Sequence, residues 1–387
     1  MKTEWVHKKL GDDDVAKIIM GQSPSSASYN DENIGLPFLQ GCADFGEVFP
    51  KTSVYCNEPL KVAPQNSILM SVRAPVGTIN KADQKYIIGR GLCSIVSLIN
   101  NDYLYYYLLQ NKNRLEQKAQ GSTFLAINSA EVNDFDVSYP ESLSTQRRIA
   151  AILTSADKVI AATQKTIAKY KQIKQGMMED LLKPKEGWKM VKLGEVGERI
   201  TDGCHIKPKC VAKSQFLMLS SQNIKDNKLD LSDVSYLTFD DFERENHRTN
   251  IKAGDVLLTI VGTVGRTYLV KENDVNFTLQ RSVAVLAPKA TLDSSFLLYT
   301  LNNLQFVLEN EAHGCAQKGI YLKQLNQLLI SIPDLTEQRR IAAILSGIDA
   351  KIAAEEKVLQ KYEKVKKGLM ERMLEGGGKK IINCVIL

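Results

Sequence analysis

The chain has 387 residues, of which 44% are hydrophobic and 24% are charged, and its formal net charge is +6. This length predicts two or three globular domains, and the composition is that of an ordinary globular protein. No apolar run approaches the ~20 residues that a membrane-spanning helix needs, and no secretory signal opens the chain, so the expected location is the cytoplasm.

The first segment is predicted to mix strands with helices. It opens with Trp5 and Lys9-Leu10-Gly11, and an apolar strand is expected at 67–72. Helical periodicity then runs over 103–117, and a short strand ends at Pro140. Strand signals separated by turn residues and followed by a helical period are typical of an α+β domain.

A long helix is predicted directly after this segment. Apolar residues recur at alternating steps of four and three from Ile149 to Leu181, which makes a heptad seam over five repeats. No proline interrupts the stretch, and Pro184 ends it. At ~1.5 Å per residue the helix is expected to be roughly 55–60 Å long, and it needs a partner stripe to cover its apolar face.

The second half of the chain repeats the first. Residues 338–374 align without a gap with residues 146–182, and 20 of the 37 positions are identical at an offset of 192 residues. A globular segment that opens with Trp188 precedes this second helix. The repeated unit is therefore a domain plus a long helix, and the two helices are expected to pair with each other, with the domains at opposite ends of the rod.

These patterns predict an α+β fold with two tandem mixed domains. The two long helices are expected to form an antiparallel coiled coil with pseudo-twofold symmetry. The predicted divisions are a first domain at 1–144, a first helix at 145–187, a second domain at 188–335, a second helix at 336–375 and a disordered tail at 376–387.

Both helical seams contain polar residues at equivalent positions. Lys174 and Lys366 occupy one seam position, and Thr163 and Glu355 occupy another. Polar seam residues weaken the pair but fix its register, and a contact with another subunit is the alternative interpretation. The predicted seam consists of Ile149, Leu153, Ile160, Ile167, Tyr170, Leu181, Ile341, Leu345, Ile352, Leu359, Tyr362 and Met373.

Positive charge is concentrated in the helices. Residues 145–185 contain nine Lys and Arg against three Asp and Glu, and residues 336–375 contain nine against seven. The rest of the chain has a net charge of −2, so a nucleic-acid surface on the domains must consist of local patches.

No motif for catalysis or cofactor binding stands out. The chain has no GxxxxGK[ST] phosphate loop, and Gly89–Ser94 resembles a dinucleotide loop only in part. Cys204, His205 and Cys210 fit no common zinc spacing. We therefore expect no catalytic residue, no cofactor and no metal.

Three features recur in the same order in this sequence. The long helices start with Thr145–Ala150 and Glu337–Ala342, the domains open with Trp and Lys-Leu-Gly, and a Gly121–Phe124 turn precedes a closing strand. This set, which covers essentially the whole chain, resembles the specificity subunits of type I restriction-modification systems. The resemblance implies that each domain reads one half of a bipartite, asymmetric site in double-stranded DNA. It also implies that the helices set the spacer and dock two methylation subunits, that restriction subunits join the full complex, and that this chain is not catalytic.

Base-reading residues are nominated by their chemistry, because the recognition loops vary in this family. Arg favours guanine, Asn and Gln favour adenine, and Ser and Thr suit either. In the second domain Cys315–Lys318 replaces the Ser-Thr-Phe turn of the first, which leaves the role of that turn open. The candidates are Gln40, Arg73, Lys85, Arg90, Ser122, Thr123 and Phe124 in the first domain, and Gln222, Asn223, Arg266, Gln280, Arg281, Gln317, Lys318 and Tyr321 in the second.

Two other functions fit the sequence. A structural protein whose coiled coil joins two modules that do not bind DNA agrees with the −2 charge outside the helices. A catalytic DNA enzyme with an unrecognised site is the third hypothesis, and methylation or cleavage by the purified chain alone would establish it.

Overall fold

A computed structural model describes residues 4–119, 125–205, 208–225, 227–274, 276–312 and 318–374. The chain divides into two compact units, of which unit 1 comprises residues 1–164 and 357–387 and unit 2 comprises residues 165–356. Each unit therefore contains one globular domain together with a segment of each long helix. The tail predicted at 376–387 lies outside the described residues.

The first domain leads into a helix of 39 residues. Its strands are β1 Trp5–Lys9, β2 Ala16–Met20, β3 Tyr29–Asn30, β4 Leu36–Leu39, β5 Tyr55–Cys56, β6 Val62–Ala63, β7 Ile68–Ser71, β8 Ile79–Lys81, β9 Tyr86–Ile88, β10 Leu92–Ser97 and β11 Asp136–Pro140. Its helices are α1 Asn101–Gln110, α2 Lys112–Lys118, α3 Ser129–Asn133 and the long α4 Leu143–Leu181.

The second domain leads into a helix of 40 residues. Its strands are β12 Lys189–Lys192, β13 Gly197–Asp202, β14 Phe216–Leu219, β15 Ile224–Lys225, β16 Lys228–Leu229, β17 Ser235–Leu237, β18 Val256–Thr259, β19 Thr267–Leu269, β20 Phe277–Leu279, β21 Val283–Pro288 and β22 Leu329–Ile332. Its helices are α5 Leu193–Val196, α6 Phe239–Thr249, α7 Ser294–Asn303, α8 Gln305–Glu311, α9 Leu322–Gln327 and the long α10 Leu335–Leu374.

The two domains share one topology. An antiparallel sheet has the strand order β2–β10–β7–β8 in the first domain and β13–β21–β18–β19 in the second. A parallel pair lies beside each sheet, β4 with β9 and β14 with β20. The α+β class with two mixed domains, predicted from the repeat, is confirmed.

Burial on both faces explains the uninterrupted apolar strands. In β7, Ile68 and Met70 belong to the core that contains α1, whereas Leu69 belongs to the core on the opposite face of the sheet. Val256 and Leu257 of β18 divide in the same way. Successive side chains of a strand point to opposite faces, so a strand covered on both sides is apolar throughout.

The long helices pair within each unit. In unit 2, Lys174 forms an ion pair with Asp349 at 2.7 Å and Lys171 forms one with Glu356 at 3.4 Å. The partner on α10 thus lies closer to the C-terminus when the lysine on α4 lies closer to the N-terminus. In unit 1, Lys366 bonds Asp157 at 2.5 Å. The predicted pairing is confirmed, and in unit 2 the direction is antiparallel. None of the helices in the described ranges is long and apolar enough to cross a membrane.

A buried glutamine joins each long helix to its domain. Gln146 accepts a hydrogen bond from the backbone N–H of Asn100 at 2.9 Å and donates one to the carbonyl of Pro140 at 2.8 Å. Gln338, 192 residues later, accepts from the N–H of Asp293 and donates to the carbonyl of Pro333. Asn100 and Asp293 cap α1 and α7, so one amide fixes the start of a long helix against the start of a domain helix.

Replacing Gln146 with leucine is expected to destabilise the first domain. The change leaves two backbone groups without their partner at a side chain that is only 2% exposed. Each orphaned group costs about 1–3 kcal/mol. Urea unfolding of Gln146→Leu measures the loss, with the exposed Gln172→Leu on the same helix as its control. Equal unfolding curves for the two variants would contradict this role.

Candidate DNA interface

Several loops meet at one edge of the first domain. The N–H of Gly89 donates to the carbonyl of Leu39 at 2.8 Å, and the N–H of Val72 donates to the carbonyl of Gly91 at 2.9 Å. The N–H of Ala74 donates to the carbonyl of Leu125. These bonds join the ends of β4, β7 and β9 and the segment after α2. We call the joined loops, which are 21–23, 39–41, 72–74, 89–91 and 125–127, the first loop edge.

Glycine permits this close approach of backbones. A Cβ on Gly91 would lie 2.7 Å from the carbonyl oxygen of Gln40, and one on Gly21 would lie 2.1 Å from the carbonyl oxygen of Gly89. Neither position can accommodate a side chain without moving backbone. The Gly89–Ser94 motif is therefore a packing motif, and its last three residues begin strand β10 rather than lead into a helix.

The first loop edge brings together some of the nominated residues. Gln40, Arg73 and Arg90 are exposed there. Lys85 is exposed too, but it precedes β9 whereas Arg90 follows it, so the two lie at opposite ends of that strand. Ser122, Thr123 and Phe124 lie outside the described residues.

The second domain forms the same edge. The N–H of Arg281 donates to the carbonyl of Cys204 at 2.9 Å, and the N–H of Gly262 donates to the carbonyl of Lys318 at 3.1 Å. The hydroxyl of Ser282 accepts from the N–H of Ser221. The joined loops 203–205, 220–223, 260–262, 280–282 and 318–320 are the second loop edge.

The second loop edge presents its own set of polar residues. Arg281, Gln222 and Lys318 are exposed, and Gln280 is half-buried. Tyr321, just beyond the edge, is 71% exposed. Gln317 lies outside the described residues. Arg281 occupies the position that Arg90 occupies in the first domain, so each edge has an exposed guanidinium in its central loop.

Two nominated residues of the second domain have structural roles. Asn223 is 4% exposed, and its amide donates to the carbonyls of Asp230 and Asp233 while its oxygen accepts from the N–H of Ser220. The polar atoms of Asn223 are therefore used inside the domain, which argues against the predicted contact of Asn223 with a base. Arg266 is half-buried, and its guanidinium donates to the carbonyl of Ile224 at 3.4 Å.

The predicted seam residues differ in burial. Tyr362 is 40% exposed, which departs from the expectation for a seam position. Near the helix ends the burial moves to Met178, Leu182, Met370 and Leu374, because these ends also pack against a domain. Ile149, Leu153, Ile167, Ile341, Leu345, Ile352 and Met373 are buried, and Ile160, Tyr170, Leu181 and Leu359 are half-buried.

The lysines in the seams belong to two equivalent clusters. In unit 1, Asp157 pairs with Lys366 and accepts a hydrogen bond from the Tyr106 hydroxyl at 2.6 Å. In unit 2, Asp349 pairs with Lys174 and accepts from the Tyr299 hydroxyl at 2.8 Å. Burial is the main cause that raises the pKa of both tyrosines, so the hydroxyls stay protonated donors. Contacts of this kind fix the register of two paired helices, which is the role predicted for the polar seam residues.

Replacing Asp157 with asparagine is expected to weaken the joint between α1, α4 and α10 in unit 1. The carboxylate accepts from a neutral and a charged donor, and hydrogen bonds to a charged group are worth about 1.5–3 kcal/mol. Thermal melting of Asp157→Asn measures the loss, and the exposed Asp180→Asn on the same helix is the control. An unchanged melting temperature would show that the cluster does not fix the register.

The sequence contained a signal for these clusters that residue chemistry alone did not reveal. Asp157 and Asp349 are identical in the helix repeat, and Tyr106 and Tyr299 occupy equivalent positions on α1 and α7. No group of three or more His, Cys, Asp or Glu residues that could hold a metal ion occurs within the described ranges.

Comparisons with known proteins agree with this architecture. The profile of the type I restriction modification DNA specificity domain matches residues 2–172 and 185–364. A putative type I restriction enzyme MjaX specificity subunit from Methanocaldococcus jannaschii is 41% identical over 182 residues, which are 46% of this chain and 43% of that protein. The MjaVIII specificity subunit of the same organism is 26% identical over 72% of this chain and 70% of its own length. The crystal structure of a type I restriction-modification system S subunit from M. genitalium shares the fold, with a TM-score of 0.63 and 15% identity over 96% of both chains.

Proposed function

Because the chain belongs to the type I restriction modification DNA specificity family, we propose that each of its two domains reads one half of a bipartite, asymmetric site in double-stranded DNA. In such a system the specificity subunit recognises the DNA target and is not the catalytic member. Within each domain, the half-site is proposed to contact the loop edge, so that the first loop edge reads one half and the second loop edge reads the other.

The equivalent positions of Arg90 and Arg281 are the observation that supports this division. Both guanidinium groups are exposed in the central loop of an edge, where the backbone is fixed by hydrogen bonds on both sides. Arginine on guanine is the commonest base-specific contact in the major groove. The neighbouring residues differ, with Gln40 and Arg73 in one edge and Gln222 and Lys318 in the other. One frame with two sets of side chains suits two unlike half-sites.

The long helices are proposed to set the number of unread base pairs between the half-sites. The Lys174–Asp349 and Lys366–Asp157 pairs support this role, because they fix one register of the helices in each unit. We further propose that the helices dock two methylation subunits, that restriction subunits complete the complex, and that the complex works in the cytoplasm.

The alternative is a structural protein whose modules do not bind DNA. It predicts no more than the weak electrostatic affinity that any basic surface has for DNA, with a Kd of about 10⁻⁴–10⁻⁶ M. A footprint that depends on the base sequence would eliminate it.

The test is a map of DNA methylation by long-read sequencing in the source cell, with and without this gene. We expect deletion to remove methylation at one motif made of two short blocks and a fixed unread gap. Reintroduction of the gene should restore it. An unchanged methylome, with the methylation subunit shown to be expressed, would contradict the proposal and favour the interaction-module alternative.

A further inference from the structure

Helix α6 distinguishes the second domain from the first. It spans Phe239–Thr249 and follows β17, which pairs with β14 as β5 pairs with β4. In the first domain the segment after β5 is a loop of five residues, 57–61, before β6. Since the two domains otherwise share one frame, an element that only one of them has is a place where their specificities can differ.

Both ends of α6 are fixed to the domain. Phe242 is buried and stacks on Phe216 at a centroid distance of 4.8 Å. At the other end, the Arg199 guanidinium donates to the carbonyl of Asn250, the C-cap residue, at 2.9 Å and to the carboxylate of Asp255 at 2.7 Å. The last turn of α6 therefore has a defined position on the domain.

A carboxylate holds that last turn to the end of β13. Asp202, whose side chain is 10% exposed, accepts from Arg248 Nη2 on one oxygen at 2.8 Å. Its other oxygen contacts His205 Nε2 at 2.7 Å. A carboxylate this buried must be paired, yet its two partners are 46% and 54% exposed. The buried group thus orients two basic side chains that face solvent.

This arrangement is specific to the second domain. Asp202 pairs with Ala284 in the β13–β21 ladder, and the equivalent residue of the first domain is Met20, which pairs with Cys93. An apolar residue therefore occupies the same register position in the first domain. The carboxylate is not required by the shared sheet.

The group lies beside the second loop edge. Cys204 forms a bridge with Gln280, and its carbonyl accepts from the N–H of Arg281. His205 is the next residue of this loop, and Asp202 ends the strand that leads into it. His205 therefore belongs to the edge that displays Arg281, and Arg248 adjoins that edge through Asp202.

We propose that Asp202 is a positioning residue that presents Arg248, with His205 beside it, to acceptor atoms of the second half-site. This inference rests on the proposed function. A guanidinium has five N–H donors in a plane, so one nitrogen can bond Asp202 while the other nitrogens keep donors for a ligand. The acceptors that match are O6 and N7 of guanine or the oxygens of a phosphate.

The experiment uses the full chain in complex with its methylation subunits. Methyl transfer is measured on the target duplex and on duplexes with each base pair of either half-site replaced, at several salt concentrations. The variants are Arg248→Ala, Arg248→Lys and Asp202→Asn. Arg244→Ala is the matched control, because Arg244 lies on the same helix and pairs only with Asp241 and Glu245 among the described residues.

Arg248→Ala is expected to lower methyl transfer on the target by about 10- to 100-fold, the range of one good base contact. A guanine contact predicts lost discrimination at one position of the second half-site and no rescue by lysine. A phosphate contact predicts uniform weakening, a salt slope smaller by about one, and rescue by lysine. Asp202→Asn should shift the same readouts in the same direction by a smaller factor, and discrimination in the first half-site should not change.

The inference is overturned if Arg248→Ala and Asp202→Asn behave as Arg244→Ala does while Arg281→Ala still impairs reading of the second half-site. That result would leave the proposed function intact. An unmodified complex without any sequence preference would instead overturn both. Because Arg248→Ala removes one of the two partners of the buried Asp202, a melting curve of each variant separates loss of reading from loss of folding.

Discussion

A seven-residue helical insertion after Gln164, in α4 alone, is expected to prevent the chain from reaching its native fold. Helix α4 runs from unit 1 into unit 2 and pairs with α10 in both. Seven residues lengthen it by roughly 10 Å, which leaves one unit with slipped pairing. The slip breaks an Asp–Lys pair and exposes buried residues such as Met178 and Leu182, and each such side chain loses about 1.5–3 kcal/mol of burial free energy. Thermal melting and gel filtration measure the outcome.

Matched insertions in both helices provide the control. Seven further residues after Glu356 lengthen α10 by the same amount, so both units can retain their pairing. The variant is expected to fold and to methylate a motif whose unread gap is longer by about three base pairs, at 3.4 Å per pair. A folded double variant with an unchanged gap would show that the helices do not set the spacer.

Replacing Arg281 with alanine is expected to reduce recognition of the second half-site by about 10- to 100-fold and to leave the first unaffected. The guanidinium is exposed in the central loop of the second loop edge, and a good bidentate base contact is worth about 1–3 kcal/mol. Arg90→Ala should do the opposite. Methyl transfer on duplexes that carry a substituted first or second half-site distinguishes the two effects.

The two arginine variants act as controls for each other. Each one changes a single exposed side chain, so the folded state and the complex with the methylation subunits should persist. Lys85→Ala provides a further comparison, because Lys85 lies at the opposite end of β9 from Arg90. Equal losses on both half-sites for either arginine would contradict the assignment of one domain to each half.

The sequence alone predicts the architecture because the repeat constrains it twice. A heptad seam over five repeats has few alternatives to a paired helix, and the same offset of 192 residues places an equivalent helix and domain in the second half. The strands at Ile68–Ser71 and Val256–Thr259 were predictable from their apolar runs, because a strand covered on both faces has no polar side to obscure it.

The individual site residues were harder to predict, because residue type does not determine exposure. Asn223 has the side-chain chemistry that favours adenine, but its amide group is already hydrogen-bonded to the backbone of Ser220, Asp230 and Asp233. Asp202 and Arg248 lie 46 residues apart, and only the fold brings them together. Tyr362 follows the heptad pattern and is nevertheless 40% exposed. The period of the apolar residues alone does not specify along which part of the helix a partner covers them.

The buried glutamines have a consequence for how such a protein can evolve. Among the described residues, Gln146 and Gln338 bond backbone groups of the domain ends and caps and, for Gln338, the carbonyl of Thr291, and none of these lies in a loop edge. A new set of edge loops can therefore replace the old one without disturbing the helices. A whole new domain must also retain these backbone groups, the tyrosine equivalent to Tyr106 or Tyr299, and the apolar face on which the long helices pack. Target preference can change by exchange of a cassette while the scaffold stays constant.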